Sequence, residues 1–211
     1  MTAKPEWLAD DIEALHSSDV LSDAQATAAF LSATRDQMHH SFATFQSHLR
    51  NTGYLIGVLL VGAGAMAAIA LEGDDGSSPN RTFFAIGSAA VLVAIVPVSA
   101  LAIAITAQVF RLYAGAVVYA AQAHAAAGVA SHPWFDFVFS YPEATKHRTP
   151  LGKALDKITT RALGPSPTPR TALMDSWVQD PSSVFTPFVL MLLVVDVFCL
   201  VGAVAVLVLG I

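Results

Sequence analysis

The stretch Pro187–Ile211, PFVLMLLVVDVFCLVGAVAVLVLGI, is apolar throughout except for one carboxylate, Asp196. Two other long apolar runs, Thr52–Leu71 and Thr82–Phe110, contain no charged residue. A helix of about 20 apolar residues crosses the hydrocarbon core of a bilayer. Charged residues make up only 13% of the chain, about half the share that is usual in a soluble domain. The sequence therefore predicts an all-α integral membrane protein with three transmembrane helices.

The lysines and arginines are distributed unevenly around these runs. Three precede the first run and seven lie between the second and the third, whereas only Arg81 lies between the first and the second. Cationic residues close to span ends prefer the cytoplasmic side, and Arg50 and Arg111 are such residues. We therefore expect a multi-pass protein of a bacterial cell membrane with a cytoplasmic N-terminus and an external C-terminus.

This topology divides the chain into segments with different surroundings. The external loop is rich in glycine, serine and aspartate, which favours a tight connection between the first two spans. The second span has no stop signal at its end and continues as a cytoplasmic helix. The predicted segments are cytoplasmic helices over 1–51, spans over 52–71, 82–110 and 185–211, an external loop over 72–81, a helical extension to about 127 and a cytoplasmic segment over 128–184.

The residues before the first span predict a long amphipathic helix. Ser22 and Gln25 fit a capping box at its start, and no helix breaker follows before Arg50. One face carries large apolar side chains at helical spacing. We expect these side chains to be largely buried against the 112–127 extension: Leu31, Met38, Phe42 and Phe45.

An alternative topology places a fourth span over residues 112–130. This alternative requires a tight turn near Gly115, because the chain would have to re-enter the membrane there. The neighbouring residues are mostly alanine, valine and tyrosine, which do not favour a turn. We therefore expect one continuous helix, with Gly128 as its C-terminal cap.

Asp196 is the only carboxylate within the predicted spans. It lies nine residues past Pro187, which is about 14 Å along a helix. A carboxylate at that depth costs about 3 kcal/mol to insert and usually faces other helices or water. Ser99 and Pro97 lie at similar depth in the second span. Two interpretations stay open: Asp196 serves a proton or cation path or an oligomer contact, or it holds two helices together as a neutral acid.

Small residues line one face of the first span. Gly53 and Gly57 form a GxxxG pair, and Gly64 with Ala68 repeats the spacing. Such faces let helix backbones approach closely, so we expect packing against a helix of the same chain or of another copy. Because three helices cannot enclose a wide aqueous pore, a channel function requires an oligomer.

The segment 150–163 predicts a basic amphipathic helix. Its apolar side chains Leu151, Leu155 and Ile158 form one stripe. The favoured position is the membrane interface, where the basic face meets anionic headgroups. The alternatives are a solvated face and a site for a phosphate-bearing ligand. The basic residues available for lipid or ligand contacts are Arg111, Lys146, Arg148, Lys153, Lys157 and Arg161.

Several function classes lack their sequence signals. The seven histidines all lie outside the predicted spans, and no HExxH or CxxC pattern occurs, so we expect neither a metal nor a cofactor. No GxSxG or P-loop pattern indicates an enzyme. The net charge of −5 argues against nucleic-acid binding, which normally requires a basic surface. The single cysteine, Cys199, excludes an intrachain disulfide.

In outline, the order of cytoplasmic helix, span hairpin, cytoplasmic segment and last span over Ser22–Ile211 resembles small prokaryotic membrane effectors of nucleotide-signalling defence. These are the Pycsar membrane effectors and the related SLATT proteins. The resemblance covers topology, and the stretch Arg50–Leu55 lacks the acidic–lysine signature of the Pycsar type. It implies a protein that senses a cyclic nucleotide on its cytoplasmic side and then impairs the inner membrane during antiphage defence.

Two functions therefore follow as expectations. The first is an oligomeric inner-membrane effector or channel that is controlled from its cytoplasmic helices. The second is a non-catalytic accessory subunit that docks onto a larger membrane complex through residues 5–17 and the 23–50 face. In either case the lipid bilayer is one partner, and a second copy or another membrane protein is the other.

Overall fold

The computed structural model describes residues 6–21, 23–72, 79–128, 150–164, 168, 172–174 and 185–210. These residues form helices and turns, with no strand among them. Three of the helices are long and apolar enough to cross a membrane, which confirms the predicted all-α membrane class. The helices are α1 (Glu6–His16), α2 (Ala24–Glu72), α3 (Pro79–Ala126), α4 (Pro150–Leu163) and α5 (Phe185–Gly210), with a 3-10 turn at Asp19–Leu21.

Helices α2 and α3 are much longer than a membrane span requires. They contain 49 and 48 residues, or about 70 Å each at 1.5 Å per residue, whereas the bilayer core is about 30 Å thick. Helix α3 passes through Gly115 without a break. The turn that a separate fourth span needs is absent, and the prediction of one continuous helix is confirmed.

The helix ends follow from local backbone chemistry. The Asp23 carboxylate accepts a hydrogen bond from the backbone N–H of Ala26 at 2.7 Å, so Asp23 caps α2. The predicted cap, Ser22, lies outside the described residues. Gly128 has a φ of 79° and ends α3 as predicted, because glycine adopts the left-handed conformation of a helix C-cap without strain.

The chain divides into two compact units. Unit 1 comprises Met1–Gln46 and Thr106–Thr186, and unit 2 comprises Ser47–Ile105 and Pro187–Ile211. Helices α2, α3 and α5 contribute residues to both units, because each division falls inside a continuous helix, although α5 gives unit 1 only Phe185 and Thr186.

Aromatic contacts hold α2 and α3 together in unit 1. The Phe45 ring is 1% exposed and its centroid lies 5.0 Å from that of Phe110. The Phe42 ring lies 5.3 Å from that of Tyr113, and Phe30 meets Tyr119 edge-on at 6.2 Å. Such pairs add about 0.5–1.5 kcal/mol beyond their burial.

The predicted burial of the α2 face is correct for Phe45 and wrong for Phe42. Phe42 is 37% exposed, and Leu31 and Met38 are half-buried. Phe45 also stacks parallel to Tyr113. The apolar side chains therefore share the predicted face, but only Phe45 among them is fully enclosed.

Helix α1 is tied to the end of α3 by two polar contacts. The amide of Gln122, which is 2% exposed, donates to the Asp11 carboxylate at 2.9 Å. The His16 ring donates from Nδ1 to the carbonyl of Ala126 at 3.0 Å. That carbonyl belongs to the last turn of α3, where the helix itself provides no partner. These contacts fix α1 on α3 although the two segments are far apart in sequence.

The Asp11→Ala variant is expected to loosen α1, because it leaves the buried Gln122 amide without this acceptor. An unsatisfied buried donor costs about 1–3 kcal/mol of stability, and each 1.4 kcal/mol corresponds to a tenfold change in the equilibrium constant. Hydrogen exchange of the α1 amides should therefore accelerate by roughly tenfold. Asp10→Ala is the matched control, since Asp10 is exposed. Equal acceleration in both variants would show that the Asp11–Gln122 contact is not what holds α1.

In unit 2, helices α3 and α5 run antiparallel in a constant register. Ala85 meets Gly210 and Leu92 meets Gly202, so each step toward the C-terminus of α3 is a step toward the N-terminus of α5. Helix α2 joins them where Ala70, Ala85 and Val206 form a buried cluster. Small residues at this cluster let the three helices approach closely.

Candidate functional site

Asp196 lies on the face of α5 that packs against the rest of unit 2. Leu192 is four residues before it and Cys199 three residues after it, and these two side chains are 0% and 2% exposed. Residues at this spacing share one helix face. Because Asp196 itself is half-buried, part of its surface faces the helices of this chain and part remains open.

Ser99 on α3 is the residue that faces Asp196. Ser99 is fully buried, and its side chain interacts with the Asp196 carboxyl. The contact does not complete a hydrogen bond of ordinary geometry, since Ser99 Oγ and Asp196 Oδ1 are both buried without a hydrogen-bond partner among the described residues. Pro97 is exposed and is not part of this pair.

The Asp196–Ser99 pair combines a carboxyl group and a hydroxyl group with unused hydrogen-bonding capacity. Buried polar atoms in folded proteins nearly always have a partner, and inside a bilayer lipid cannot provide one. Because both atoms are enclosed by this chain, a small species such as a water molecule or a cation has the chemistry to complete the pair. The pair can therefore exchange a proton or hold a cation.

Two further buried hydroxyls on α3 were not among the predicted site residues. Ser88 donates to the carbonyl of Ala63 on α2 at 2.8 Å, which joins two helices of unit 2. Thr106 Oγ1, in unit 1, is buried without a hydrogen-bond partner within the described part of the chain. The signal was present in the sequence: Ser88, Ser99 and Thr106 are spaced by whole helical turns along one face.

Arg81 also has a role that the sequence did not reveal. Its Nη2 donates to the carbonyl of Leu209 at 2.8 Å, in the last turn of α5. Cationic side chains stabilise helix C-termini because the last carbonyls carry partial negative charge. No local pattern connects the two positions, which lie 128 residues apart in the chain.

No helix among the described residues packs against the glycines of the first span. Side-chain carbons added at Gly53, Gly57 or Gly64 would meet no described atom within 4 Å. Of the two predicted partners for this face, the described residues of the same chain provide none, and packing against another copy stays a prediction. Close approaches of described atoms occur at Gly87, Gly115, Gly202 and Gly210 instead.

The basic residues are not assembled into one site by the described part of the structure. Lys153, Lys157 and Arg161 are exposed on α4, and Ile158 is half-buried. Arg111 lines a cavity of about 420 Å³ in unit 1, whose described lining contains no second basic residue. Lys146, Arg148 and the side chains of Leu151 and Leu155 lie outside the described residues.

Metal chemistry has no support in the described residues, which contain no group of three histidine, cysteine, aspartate or glutamate side chains able to hold a metal ion. Fold and site together define the class as an all-α multi-pass membrane protein with a carboxyl group inside one of its apolar helices. The chain matches no protein-family model, no curated protein and no solved structure.

Proposed function

We propose that this chain is the subunit of a homo-oligomeric membrane protein that passes protons or small cations across the inner membrane under the control of unit 1. The observation that carries the proposal is the half-buried Asp196, which faces Ser99 while Asp196 Oδ1 and Ser99 Oγ lack hydrogen-bond partners. Intramembrane ionisable residues of this kind mark ion pathways and proton relays.

The energetic argument concerns the open part of the Asp196 surface. A polar group buried without a partner costs several kcal/mol in hydrocarbon, so contact of the carboxyl with lipid is strongly unfavourable. A ring of copies removes this cost, because each Asp196 then faces water or a neighbouring subunit. The unpacked face at Gly53, Gly57 and Gly64 gives the spans a surface on which such copies can approach closely.

Control from unit 1 follows from the continuity of two helices. Helices α2 and α3 contribute residues to both units. A ligand or partner that shifts these helices in unit 1 therefore displaces the same helices in unit 2, and shifts of packed helices are a common switching motion. Loss of the membrane potential is the expected cellular consequence of opening. An antiphage effector that impairs the membrane would act in this way.

The alternative of an accessory subunit requires two docking surfaces that this chain already uses. Helix α1 is bonded to α3 through Asp11 and Gln122. The 23–50 face contacts α3 through Phe45 and Phe110. Because these surfaces are engaged within the chain, they favour the self-assembling effector.

Asp196→Asn is the direct test. Asparagine keeps the shape and the hydrogen-bonding capacity of the side chain but cannot release a proton. In vesicles loaded with a pH-sensitive dye, we expect the wild-type protein to pass protons and the Asp196→Asn protein to pass at least tenfold fewer. Native mass measurements in detergent should give the same oligomer for both.

Val197→Ala is the control, because it changes an exposed side chain next to Asp196 without placing a polar group in the span. This variant should conduct like the wild type. A wild-type monomer without flux would contradict the proposal. Undiminished flux in Asp196→Asn would assign Asp196 a structural role instead.

A further inference from the structure

The backbone register of α3 and α5 places Ser99 opposite Asp196. Ala85 meets Gly210 where the two helices approach closely. Fourteen residues further along α3 lies Ser99, and fourteen residues back along α5 lies Asp196. Fourteen residues are about four helical turns, so both side chains return to the side on which the helices meet. The register therefore supports the side-chain contact between Ser99 and Asp196.

The Asp196–Ser99 pair is enclosed by apolar side chains on both helices. Residues three and four positions away from Asp196 on α5 and from Ser99 on α3 are all apolar. They share a helix face with the pair at this spacing. The titratable group among them is the Cys199 thiol. Those that are buried are Ile95, Ile103, Leu192 and Cys199.

Helix α2 adds few oxygen atoms to these surroundings. Within the first span, 52–71, side chains with an oxygen atom occur only at Thr52 and Tyr54, at its start. The same stretch carries no charged residue. The oxygen ligands that side chains offer at the depth of Asp196 are therefore one carboxyl group and the Ser99 hydroxyl.

This small ligand set distinguishes a proton from a metal cation. Calcium takes about six to eight oxygen ligands and magnesium requires near-octahedral coordination, whereas a proton needs a single lone pair. A carboxylate that binds a proton also becomes neutral, which removes the cost of a charge in apolar surroundings. The Asp196–Ser99 pair thus meets the requirements of a proton and falls short of those of a metal cation.

The hydroxyl of Ser99 suits both states of a carboxyl group that gains and loses a proton. A hydroxyl donates one hydrogen bond and also accepts. It can donate to the Asp196 carboxylate and accept from the Asp196 carboxylic acid, directly or through one water molecule. An apolar side chain at position 99 would leave both states without this partner.

We propose that the Asp196–Ser99 pair is a proton-selective site, in which Asp196 carries the proton and Ser99 hydrogen-bonds to its charged and neutral forms. The proposal rests on the proposed function and narrows the transported species to the proton. A hydronium ion on one side gives its proton to the Asp196 carboxylate and leaves as water. The carboxylic acid then gives this proton to a water molecule on the other side, which becomes hydronium, and the carboxylate is restored.

Labelling with dicyclohexylcarbodiimide tests the site without measuring transport. This apolar reagent adds to protonated carboxyl groups inside membranes, and mass spectrometry of the full-length protein locates the adduct. We expect Asp196 to be labelled in the wild type and the label to be lost in Asp196→Asn. Labelling should fall as the pH rises. At constant pH, sodium, potassium or calcium chloride should change it no more than choline chloride of equal ionic strength.

Variants of Ser99 test the role of the hydroxyl in proton flux. Ser99→Ala should lower the flux into dye-loaded vesicles about tenfold, a factor typical of losing a hydrogen bond to a charged group. Ser99→Thr keeps the hydroxyl and should restore most of the flux. Ser88→Ala is the matched control, because Ser88 is buried on the same helix but donates to the carbonyl of Ala63. It should conduct like the wild type.

The outcomes separate the proton site from the proposed function. Protection of Asp196 from the reagent by one of the metal cations, or a sodium or potassium flux that Asp196→Asn abolishes, would overturn proton selectivity and leave transport standing. Equal losses of flux in Ser88→Ala and Ser99→Ala would overturn the role of Ser99. Labelling that depends on pH alone, in a wild-type protein without flux, would support the proton site and reject the transport function.

Discussion

Phe45→Ala is expected to destabilise unit 1 by about 3–5 kcal/mol, the usual loss for truncating a buried phenylalanine. Phe45 is 1% exposed and contacts the rings of both Phe110 and Tyr113. Truncation leaves a cavity between α2 and α3, because two other aromatic contacts keep these helices from closing around the smaller alanine. Denaturant unfolding of the full chain in detergent, followed by near-UV circular dichroism of the aromatic residues, measures the loss.

Phe42→Ala is the matched control on the same helix face. Phe42 is 37% exposed, and its ring contacts that of Tyr113. Truncation of Phe42 should lower the free energy of unfolding clearly less than truncation of Phe45. Part of the Phe42 ring is already exposed, and the free energy gained by burial is proportional to the apolar area removed from water. Similar losses in both variants would mean that the α2–α3 contact is not centred on Phe45.

Gly210→Ala is expected to disturb the meeting point of the three helices in unit 2. An added Cβ would lie 2.7 Å from the Cβ of Ala85 and 3.8 Å from that of Ala70. Both neighbours are methyl groups fixed to their backbones, so a helix must move to relieve the clash. Overpacking of this kind costs about 1–3 kcal/mol. Thermal unfolding in detergent should show the loss.

Gly62→Ala is the control for Gly210→Ala. An added Cβ at Gly62 would meet no described atom within 4 Å. Alanine is about 0.5–1 kcal/mol more favourable than glycine inside a helix, so this variant should be at least as stable as the wild type. Equal losses of stability in Gly62→Ala and Gly210→Ala would show that the clash with Ala85 is not the cause of the loss.

The membrane class and the helix pattern were predictable because they depend on local properties of the chain. The length and hydropathy of a run decide whether it can cross a bilayer, and continuity through Gly115 follows from the lack of turn residues around it. The end of α3 at Gly128 also has a local cause, namely the backbone freedom of glycine. The start of α2 is local as well, because the Asp23 side chain caps the helix.

Contacts between helices were not predictable, because they depend on rotation and register that no local pattern fixes. The sequence offered several glycines at helix-packing spacing in the first span, yet the tight approach occurs at Gly210 against Ala85. It placed both Pro97 and Ser99 at the depth of Asp196, and the structure selects Ser99. A side chain one or two positions away on a helix points in a different direction. Sequence therefore set the depth of Asp196, whereas the antiparallel packing of α3 and α5 decided which residue it faces.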